Sequence, residues 1–287
     1  MFGIPSFFLF FFALSMALGL INDWSYLLWV APLLGLLPVW RKIAFFGASD
    51  KRIAVAGKAV LITGCDTGFG HSLALRLFSL GFTVFATCLF PDGEGAQRLR
   101  QEAGSSCRLH VLKLDVTQDQ DVAEAKEFVL KNMPENGRLI FMSSTFAFIE
   151  RGNIFYSLSK NALEKYGDML RHELKKFGVK VSLIEPGNYA LATNIMPLHT
   201  IEQFWNKFDE ETKASYSKTY LQSFVSYMNN QRNNGMHDSK EVIDAITDAL
   251  LSQRPKARYL VATFREKFLT YASYYLPGFL KDLLFFP

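Results

Sequence analysis

A glycine-rich turn follows the first short apolar run in the central part of the chain. Residues 59–62 are Ala-Val-Leu-Ile, and Gly64, Gly68 and Gly70 come soon after them. A turn of this kind between a strand and a helix lets the backbone approach a pyrophosphate, and the helix N-terminus supplies N–H groups and the positive end of its dipole. The feature predicts a parallel α/β fold with a nucleotide at the turn. A tight strand-to-helix turn without a ligand is the alternative.

Short apolar runs alternate with helical patterns through the rest of the chain. This alternation predicts a Rossmann-like doubly wound parallel sheet in a domain spanning 56–287. The predicted strands lie at 58–63, 83–88, 109–114, 139–143 and 179–184. The predicted helices lie at 71–80, 122–131, 156–177 and 241–251. Residues 190–236 are irregular and polar-aromatic, which indicates either a lid over a substrate or ordinary helix packing.

The N-terminal region has a different composition. Residues 1–22 carry no charge, and residues 24–40 are again uncharged. Because about 20 apolar residues span a bilayer, residues 1–42 are predicted to form a membrane anchor of one or two helices. The basic residues that follow, Arg41 and Lys42, favour a cytosolic position for the folded domain. A cleaved secretory signal is the alternative, although the chain lacks the basic start that such a signal has.

Charge and cysteine content exclude two other classes of function. The net charge is +4, and no long basic block occurs, so nucleic acid is not a predicted partner. Cys65, Cys88 and Cys107 lack the spacing of metal ligands. They predict buried thiols in a reducing compartment and no metal site.

A tyrosine and a lysine stand four residues apart in a predicted helix. Tyr156 and Lys160 would share one helix face, and Ser144 ends an apolar run twelve positions before the tyrosine. Oxidation of an alcohol needs a base for the hydroxyl proton, and the pKa of tyrosine is ordinarily near 10. A neighbouring ammonium group favours tyrosinate. The pattern predicts an alcohol-oxidising site, with an exposed helix pair as the alternative.

These motifs together resemble the short-chain dehydrogenases/reductases. The resemblance runs from about residue 58 to the C-terminus and is closest to the branch of hydroxybutyrate, hydroxysteroid and microsomal retinol dehydrogenases. The residues that carry it are Thr63, Gly64, Cys65, Asp66, Thr67, Gly68, Phe69, Gly70, Asp115, Ser144, Tyr156, Lys160, Pro186 and Gly187.

The resemblance implies a site and a reaction. The reaction would be NAD(P)-dependent interconversion of a secondary alcohol and a ketone or aldehyde, on a steroid, a retinoid or a small hydroxy acid. Ser144 would orient the substrate oxygen, Tyr156 would be the base, and Lys160 would also hold the nicotinamide ribose. The cofactor would further contact the turn from Gly64 to Gly70, including Asp66, Thr67, Gly68 and Phe69, together with Asp115, Pro186 and Gly187.

The cofactor, partners and location follow from the same resemblance. The positions after the second strand, Cys88, Leu89 and Phe90, carry neither an acidic nor a basic side chain, so NAD is favoured and NADP stays open. Asp115 would contact the adenine, or else form an ordinary turn at a strand end. Membrane lipid and a second copy of the chain are further expected partners. The expected location is the endoplasmic reticulum membrane, with a mitochondrial membrane as the alternative.

One part of the family pattern is missing. Asp115 and Ser144 lie close in the sequence, and no Asn-Asn-Ala-Gly occurs in the chain. Family members would carry a central strand and a following helix here, so a strand–helix unit is predicted to be absent near Gly137 and Arg138. Either a gap stays in the sheet, or the strand before Ser144 fills the vacant position. A catalytically impaired relative that binds only nucleotide or membrane partners is therefore the alternative function.

Overall fold

The computed structural model describes residues 51–131, 137–149, 153–193 and 195–285. The predicted anchor at 1–42 lies outside the described residues. Among the described residues, no helix is long and apolar enough to cross a membrane.

The described chain contains six strands and eleven α-helices. The strands are β1 (Ala59–Ile62), β2 (Thr83–Cys88), β3 (Leu109–Lys113), β4 (Arg138–Met142), β5 (Lys180–Pro186) and β6 (Arg258–Val261). The helices are α1 (Gly68–Ser79), α2 (Glu94–Ala103), α3 (Asp119–Leu130), α4 (Ile154–Glu173), α5 (Ala190–Thr193), α6 (Ile201–Trp205), α7 (Glu210–Ser215), α8 (Lys218–Asn233), α9 (Lys240–Leu251), α10 (Phe264–Tyr275) and α11 (Gly278–Phe285). A 3₁₀ turn, Thr145–Ala147, follows β4.

The strands form two parallel sheets of three strands each. The first has the order β1-β2-β3, and the second has the order β4-β5-β6. Ala59 lies opposite Thr83 in the first sheet, and Arg138 lies opposite Lys180 in the second. The predicted parallel α/β organisation is confirmed, but the described strands do not form one continuous sheet. Both β1 and β4 pair with a neighbour on one side alone within the described part of the chain.

One hydrophobic core holds the two sheets together. It contains Ile62 of β1 and Ile184 of β5, and both are buried. Helices α1 and α9 pack against each other and supply Leu77 and Ile246 to this core. Apolar residues recur every three or four positions in α9, which gives the helix one buried face.

Helices α3 and α4 cover the two outer parts of the opposite face of the sheets. On the first sheet, the rings of Phe85 and His110 stack at 5.2 Å, and Phe128 of α3 packs on them. On the second sheet, α4 crosses β5 so closely that a Cβ at Gly167 would lie 3.0 Å from the side chain of Leu183. Between these two covered areas, β1 and β4 leave side chains exposed.

Several element boundaries differ from the predictions. The first helix was expected at 71–80 but begins at Gly68, because the helix starts inside the glycine turn. The region 190–236 was expected to be irregular, but it contains the helices α5 to α8. Helices α2, α10 and α11 and strand β6 were not predicted.

Candidate active site

The glycine turn lies at the carboxyl end of β1. Gly64 and Gly68 have φ angles of 69° and 63°, in the left-handed region that disfavours side chains. A Cβ at Gly70 would lie 2.2 Å from the carbonyl oxygen of Gly64, so the turn closes only with glycine there. A Cβ at Gly64 would meet no atom within 4 Å, which leaves open space beside the turn. The turn therefore fits the close approach of a phosphate group.

Asp66 ties this turn to the loop that follows β2. Its carboxylate accepts hydrogen bonds from the backbone N–H groups of Leu89 and Phe90, each at 2.9 Å. A Cβ at Gly95, in the first turn of α2, would lie only 1.9 Å from the carbonyl oxygen of Asp66. Gly95 was missed by the sequence reasoning because α2 was not predicted. Its only signal in the sequence is a glycine soon after a turn.

The segment after β5 reaches the same turn. A Cβ at Gly68 would lie 3.3 Å from the backbone of Thr193, and the rings of Phe69 and Tyr189 are 5.6 Å apart. Pro186 ends β5, and Gly187 follows it beside the Glu266 carboxylate.

Glu266 holds this loop in place from α10. It accepts a hydrogen bond from the N–H of Asn188 at 2.7 Å, while Thr263 and Glu266 form a capping box at the start of α10. Thr193 and Glu266 were not predicted to belong to the site. The pair Thr263 and Glu266, three residues apart, is a readable capping signal, but it does not reveal which loop the carboxylate contacts.

Asp115 lies two residues beyond Lys113, the last residue of β3. Its carboxylate accepts hydrogen bonds from the Thr117 hydroxyl at 2.7 Å and from the Thr117 N–H at 2.9 Å. These bonds hold the pKa of Asp115 below its usual range. The side chain therefore forms a turn at the strand end, as one alternative predicted, and its contact with a nucleotide stays a prediction.

Ser144, Tyr156 and Lys160 come from adjoining elements after β4. Ser144 is buried, and its hydroxyl accepts a hydrogen bond from the N–H of Phe146 at 3.2 Å. The Phe146 ring lies 6.3 Å from the ring of Tyr156, whose side chain is partly accessible. The ammonium of Lys160 lies 5.6 Å from the Tyr156 ring centre. Phe146 thus connects Ser144 with Tyr156, and Lys160 lies beside the same tyrosine, while the catalytic roles of the three residues stay predictions.

Helix α4 is held in place at its N-terminus. Asn153 caps the helix by accepting a hydrogen bond from the N–H of Tyr156 at 3.1 Å. One helical turn further, the Asn161 amide donates to the carbonyl oxygen of Ala147 at 2.9 Å. Both bonds fix the helix turn that carries Tyr156 and Lys160 against the segment that carries Ser144.

Lys160 makes a direct contact with β4. Its ammonium donates to the carbonyl oxygen of Met142 at 2.8 Å. Since the next N–H, that of Ser143, bonds Ile184 of β5 at 2.7 Å, the Met142 carbonyl points to the other side of the strand. Burial lowers the pKa of Lys160. The lysine therefore donates a hydrogen bond to a backbone acceptor on the open edge of β4.

A buried charge cluster holds the middle of α4 to the second sheet. Arg258 of β6 pairs with Glu164 at 2.9 Å, with Asp168 at 2.7 Å and with Glu185 at 3.0 Å. Burial, and then the neighbouring Glu164 carboxylate, raise the pKa of Glu185 to about 8. The sequence reasoning missed this cluster, because its members come from three separate elements.

Comparison with known proteins identifies similar chains. A family model described as short chain dehydrogenase matches residues 58–135 and 126–198. The chain is 30% identical to short-chain dehydrogenase/reductase family 9C member 7 of Mus musculus, covering 70% of this chain and 80% of that protein. It is 29% identical to mitochondrial D-beta-hydroxybutyrate dehydrogenase of Rattus norvegicus, covering 81% of this chain and 84% of that protein.

Solved structures show the same fold. A short chain dehydrogenase/reductase from Burkholderia phymatum in complex with NAD has a TM-score of 0.56 at 15% identity, covering 76% of this chain and 92% of that one. A 3-ketoacyl-(acyl-carrier-protein) reductase from Brucella melitensis complexed with NADH has a TM-score of 0.53 at 17% identity. The match covers 74% of this chain and 100% of that one.

The alignments reveal a difference in length. The alignment with the Rattus protein spans 290 positions, whereas 81% of 287 residues is about 232 residues. About 58 aligned positions therefore have no residue of this chain. The two segments that match the family model overlap at residues 126–135, at the end of α3 and before β4.

Proposed function

The chain belongs to the short-chain dehydrogenase/reductase family, and we propose that it is an oxidoreductase that interconverts a secondary alcohol and a ketone or aldehyde with NAD. The observation that carries this proposal is the position of Tyr156 and Lys160 on one turn of α4, beside the buried Ser144. The relatives' names include D-beta-hydroxybutyrate dehydrogenase, retinol dehydrogenase and 17-beta-hydroxysteroid dehydrogenase.

Each residue of the catalytic group has a separate task. The Tyr156 oxygen takes the proton of the substrate hydroxyl, and the Ser144 hydroxyl binds the same substrate oxygen and orients it. The positive charge of Lys160 favours the tyrosinate form. A nicotinamide held at the glycine turn would supply the acceptor for the hydride of the alcohol carbon.

The nucleotide would lie along the carboxyl ends of β1 and β2. The turn from Gly64 to Gly70 has the backbone geometry for a pyrophosphate, and α1 directs its N-terminus toward it. NAD is favoured because the loop after β2 begins with Leu89 and Phe90 rather than a basic side chain that would bind a 2′-phosphate. Asp115, Pro186 and Gly187 would complete the cofactor contacts.

Substrate and location are extensions of the same proposal. Helices α5 to α8 would form the substrate lid, and the aromatic side chains of Phe204 and Phe224, 6.4 Å apart, favour a lipophilic alcohol. We place the protein at the endoplasmic reticulum membrane, anchored by residues 1–42, with a mitochondrial membrane as the alternative. Membrane lipid and a second copy of the chain are the proposed partners.

A catalytically impaired form is the second candidate function. It is favoured by the separation of β1 from β4 and by about 58 positions that the Rattus relative has and this chain lacks. We infer that one central strand–helix unit is missing between α3 and β4. The glycine turn and the catalytic group then lie on separate sheets, and Lys160 bonds Met142. An error of even 1 Å in the position of a catalytic group can reduce the rate about a hundredfold.

One experiment separates the two candidates. The full chain in detergent is assayed for NADH formation with 3-hydroxybutyrate, retinol and a hydroxysteroid, and NADH binding is titrated separately. Tyr156→Phe is expected to lower the rate at least about a hundredfold, since it removes the base and keeps the ring. Tyr166→Phe is the matched control, because Tyr166 is an exposed tyrosine on the same helix. Nucleotide binding without turnover on any substrate would favour the impaired form.

A further inference from the structure

Two strand edges, one of β1 and one of β4, have no neighbouring strand among the residues that the structure describes. In β1, the carbonyl of Lys58 accepts from the N–H of Thr83 on β2 at 2.9 Å, so the backbone groups of Leu61 point to the opposite side. In β4, the backbone groups of Met142 point away from β5 for the same reason. Such edges accept an added strand, because every second residue offers an N–H donor and a carbonyl acceptor.

Both edges adjoin the same hydrophobic core. Val60 of β1 and Ile140 of β4 pack against one continuous core cluster, below which lie α1 and α9. A strand placed between the edges would find its buried face already lined by apolar side chains. We call the space between the edges of β1 and β4 the strand slot.

No helix of the described ranges buries the opposite face of the strand slot. Leu61 is 39% exposed and Leu139 is 38% exposed, although parallel sheets ordinarily bury both faces. On one side of this face, α3 leaves Leu130 exposed. On the other side, α4 presents an exposed row of apolar residues on one face, Phe155, Leu158, Ala162, Tyr166 and Met169.

The positions missing from this chain are more than enough for a strand followed by a helix. About 58 positions of the Rattus relative have no counterpart in this chain, and the family match breaks at residues 126–135, before β4. A strand of about five residues, a helix of about twelve and connections of a few residues each take roughly 25 positions. Such a segment supplies both the pairing strand and the helix that would cover Leu61 and Leu139.

We propose that the strand slot binds a strand followed by an amphipathic helix, which a second polypeptide supplies. The strand pairs with β1 and β4 in parallel, and the helix packs between α3 and α4. Two features of the strand slot would bind this partner. They are the backbone donors and acceptors along the edges of β1 and β4, and the apolar side chains on both faces of the slot. The binding segment is of the kind that the longer relatives contain at this position.

Occupation of the strand slot would also change the hydrogen bonding of Lys160. The Met142 carbonyl that now accepts from Lys160 is one of the acceptors that an added strand would use. A donor N–H on that strand competes with the ammonium, which already lies beside the Tyr156 ring and then loses its bond to Met142. Binding and activation are thus linked through one carbonyl oxygen. This consequence rests on the proposed function, whereas the binding itself does not.

Binding can be tested with the relative's own segment. The probe is a synthetic peptide of the segment of the Rattus protein between its counterparts of α3 and β4, where the family match of this chain breaks, added to the full chain in detergent. Saturable binding and a rise in melting temperature of several degrees are expected. The double variant Leu61→Asp, Leu139→Asp should bind at least about tenfold more weakly. Phe177→Asp, at an exposed position beyond α4, is the matched control and should bind like the wild type.

Hydrogen exchange identifies the mode of binding. The amides of Leu61 and Met142, which point into the strand slot, should exchange rapidly in the chain alone and become protected with the peptide. The amides of Val60 and Phe141, which point to β2 and β5, should be protected in both states. A control peptide with proline at alternate positions of its first apolar run should not bind, because proline cannot donate to the ladder.

Three outcomes would overturn the proposal. The first is the absence of saturable binding, and the second is equal binding of the proline peptide. The third is protection of the Leu61 and Met142 amides in a dimer of the chain alone, which would make a second copy the occupant. If the peptide binds as expected but no NADH forms with or without it, the strand slot stands and the proposed oxidoreductase activity fails. NADH formation without any peptide binding would show the reverse.

Discussion

Replacement of Glu185 by glutamine should remove most of the pH dependence of stability that the charge cluster creates. Glu185 is buried at the end of β5, next to Arg258 and facing Glu164 and Asp168 of α4 and Tyr271 of α10. Burial and the Glu164 carboxylate raise its pKa from 4.5 to about 8. The folded chain therefore binds the Glu185 proton more tightly than the unfolded chain does.

The direction and the size of the effect follow from this difference. A raised carboxyl pKa stabilises the folded state at low pH, and this contribution is lost as the pH rises from about 4.5 to about 8. Each unit of pKa difference corresponds to about 1.4 kcal/mol, so the loss across this window has an upper limit of about 5 kcal/mol. Glutamine keeps the shape of the protonated acid and cannot ionise, so the variant should keep its stability through the same range.

The measurement is the free energy of unfolding in denaturant at several pH values between 5 and 8.5, for the wild type and for Glu185→Gln. The variant should become the more stable protein as the pH rises, and its advantage should grow steadily with pH. Glu102→Gln, at an exposed carboxylate of α2, is the matched control and should follow the wild-type curve. Parallel curves for the wild type and Glu185→Gln would show that pairing with Arg258 keeps Glu185 ionised, and the reasoning from burial would be refuted.

Three other predictions address the turn, the thiols and the N-terminus. Gly70→Ala should disrupt the turn, since its Cβ would lie 2.2 Å from a backbone oxygen, and a titration should show at least about tenfold weaker NADH binding. A thiol reagent should modify only the exposed Cys107 in the folded chain, because burial raises the pKa of Cys65 to about 12 and that of Cys88 to about 11; mass spectrometry after unfolding should find all three modified. Deletion of residues 1–42 should release the protein from carbonate-washed membranes, and full retention would assign the anchor to another segment.

Short motifs in the sequence predicted the parts of the site whose geometry is local. The glycine turn was readable because Gly64, Gly68 and Gly70 must satisfy backbone constraints within eight residues of each other. Tyr156 and Lys160 were readable because the period of an α-helix places residues four apart on one face. The strand segments were readable from their apolar runs, and all five predicted strands are present in the structure.

The supporting contacts could not be predicted in the same way. The Asp66 carboxylate bonds the loop after β2, Thr193 lies against Gly68, and Arg258 gathers carboxylates from α4 and β5. Each contact joins segments that are distant in the chain, and many side chains of the same type compete for every such partner. Only the packed fold selects one pair among them.

The chain's own sequence therefore determines its family, its glycine turn and the residues that we propose as the catalytic group. Its missing Asn-Asn-Ala-Gly segment left two arrangements open, a gap in the sheet or a shifted β4. The tertiary structure decides between them: across the described residues β1 and β4 do not pair with each other, and the ammonium of Lys160 bonds the Met142 carbonyl at the open edge of β4. The physical reason is that strand pairing is a non-local choice. Residues of α1, α9 and both sheets share one core, and no run of neighbouring residues encodes which strands pair within it.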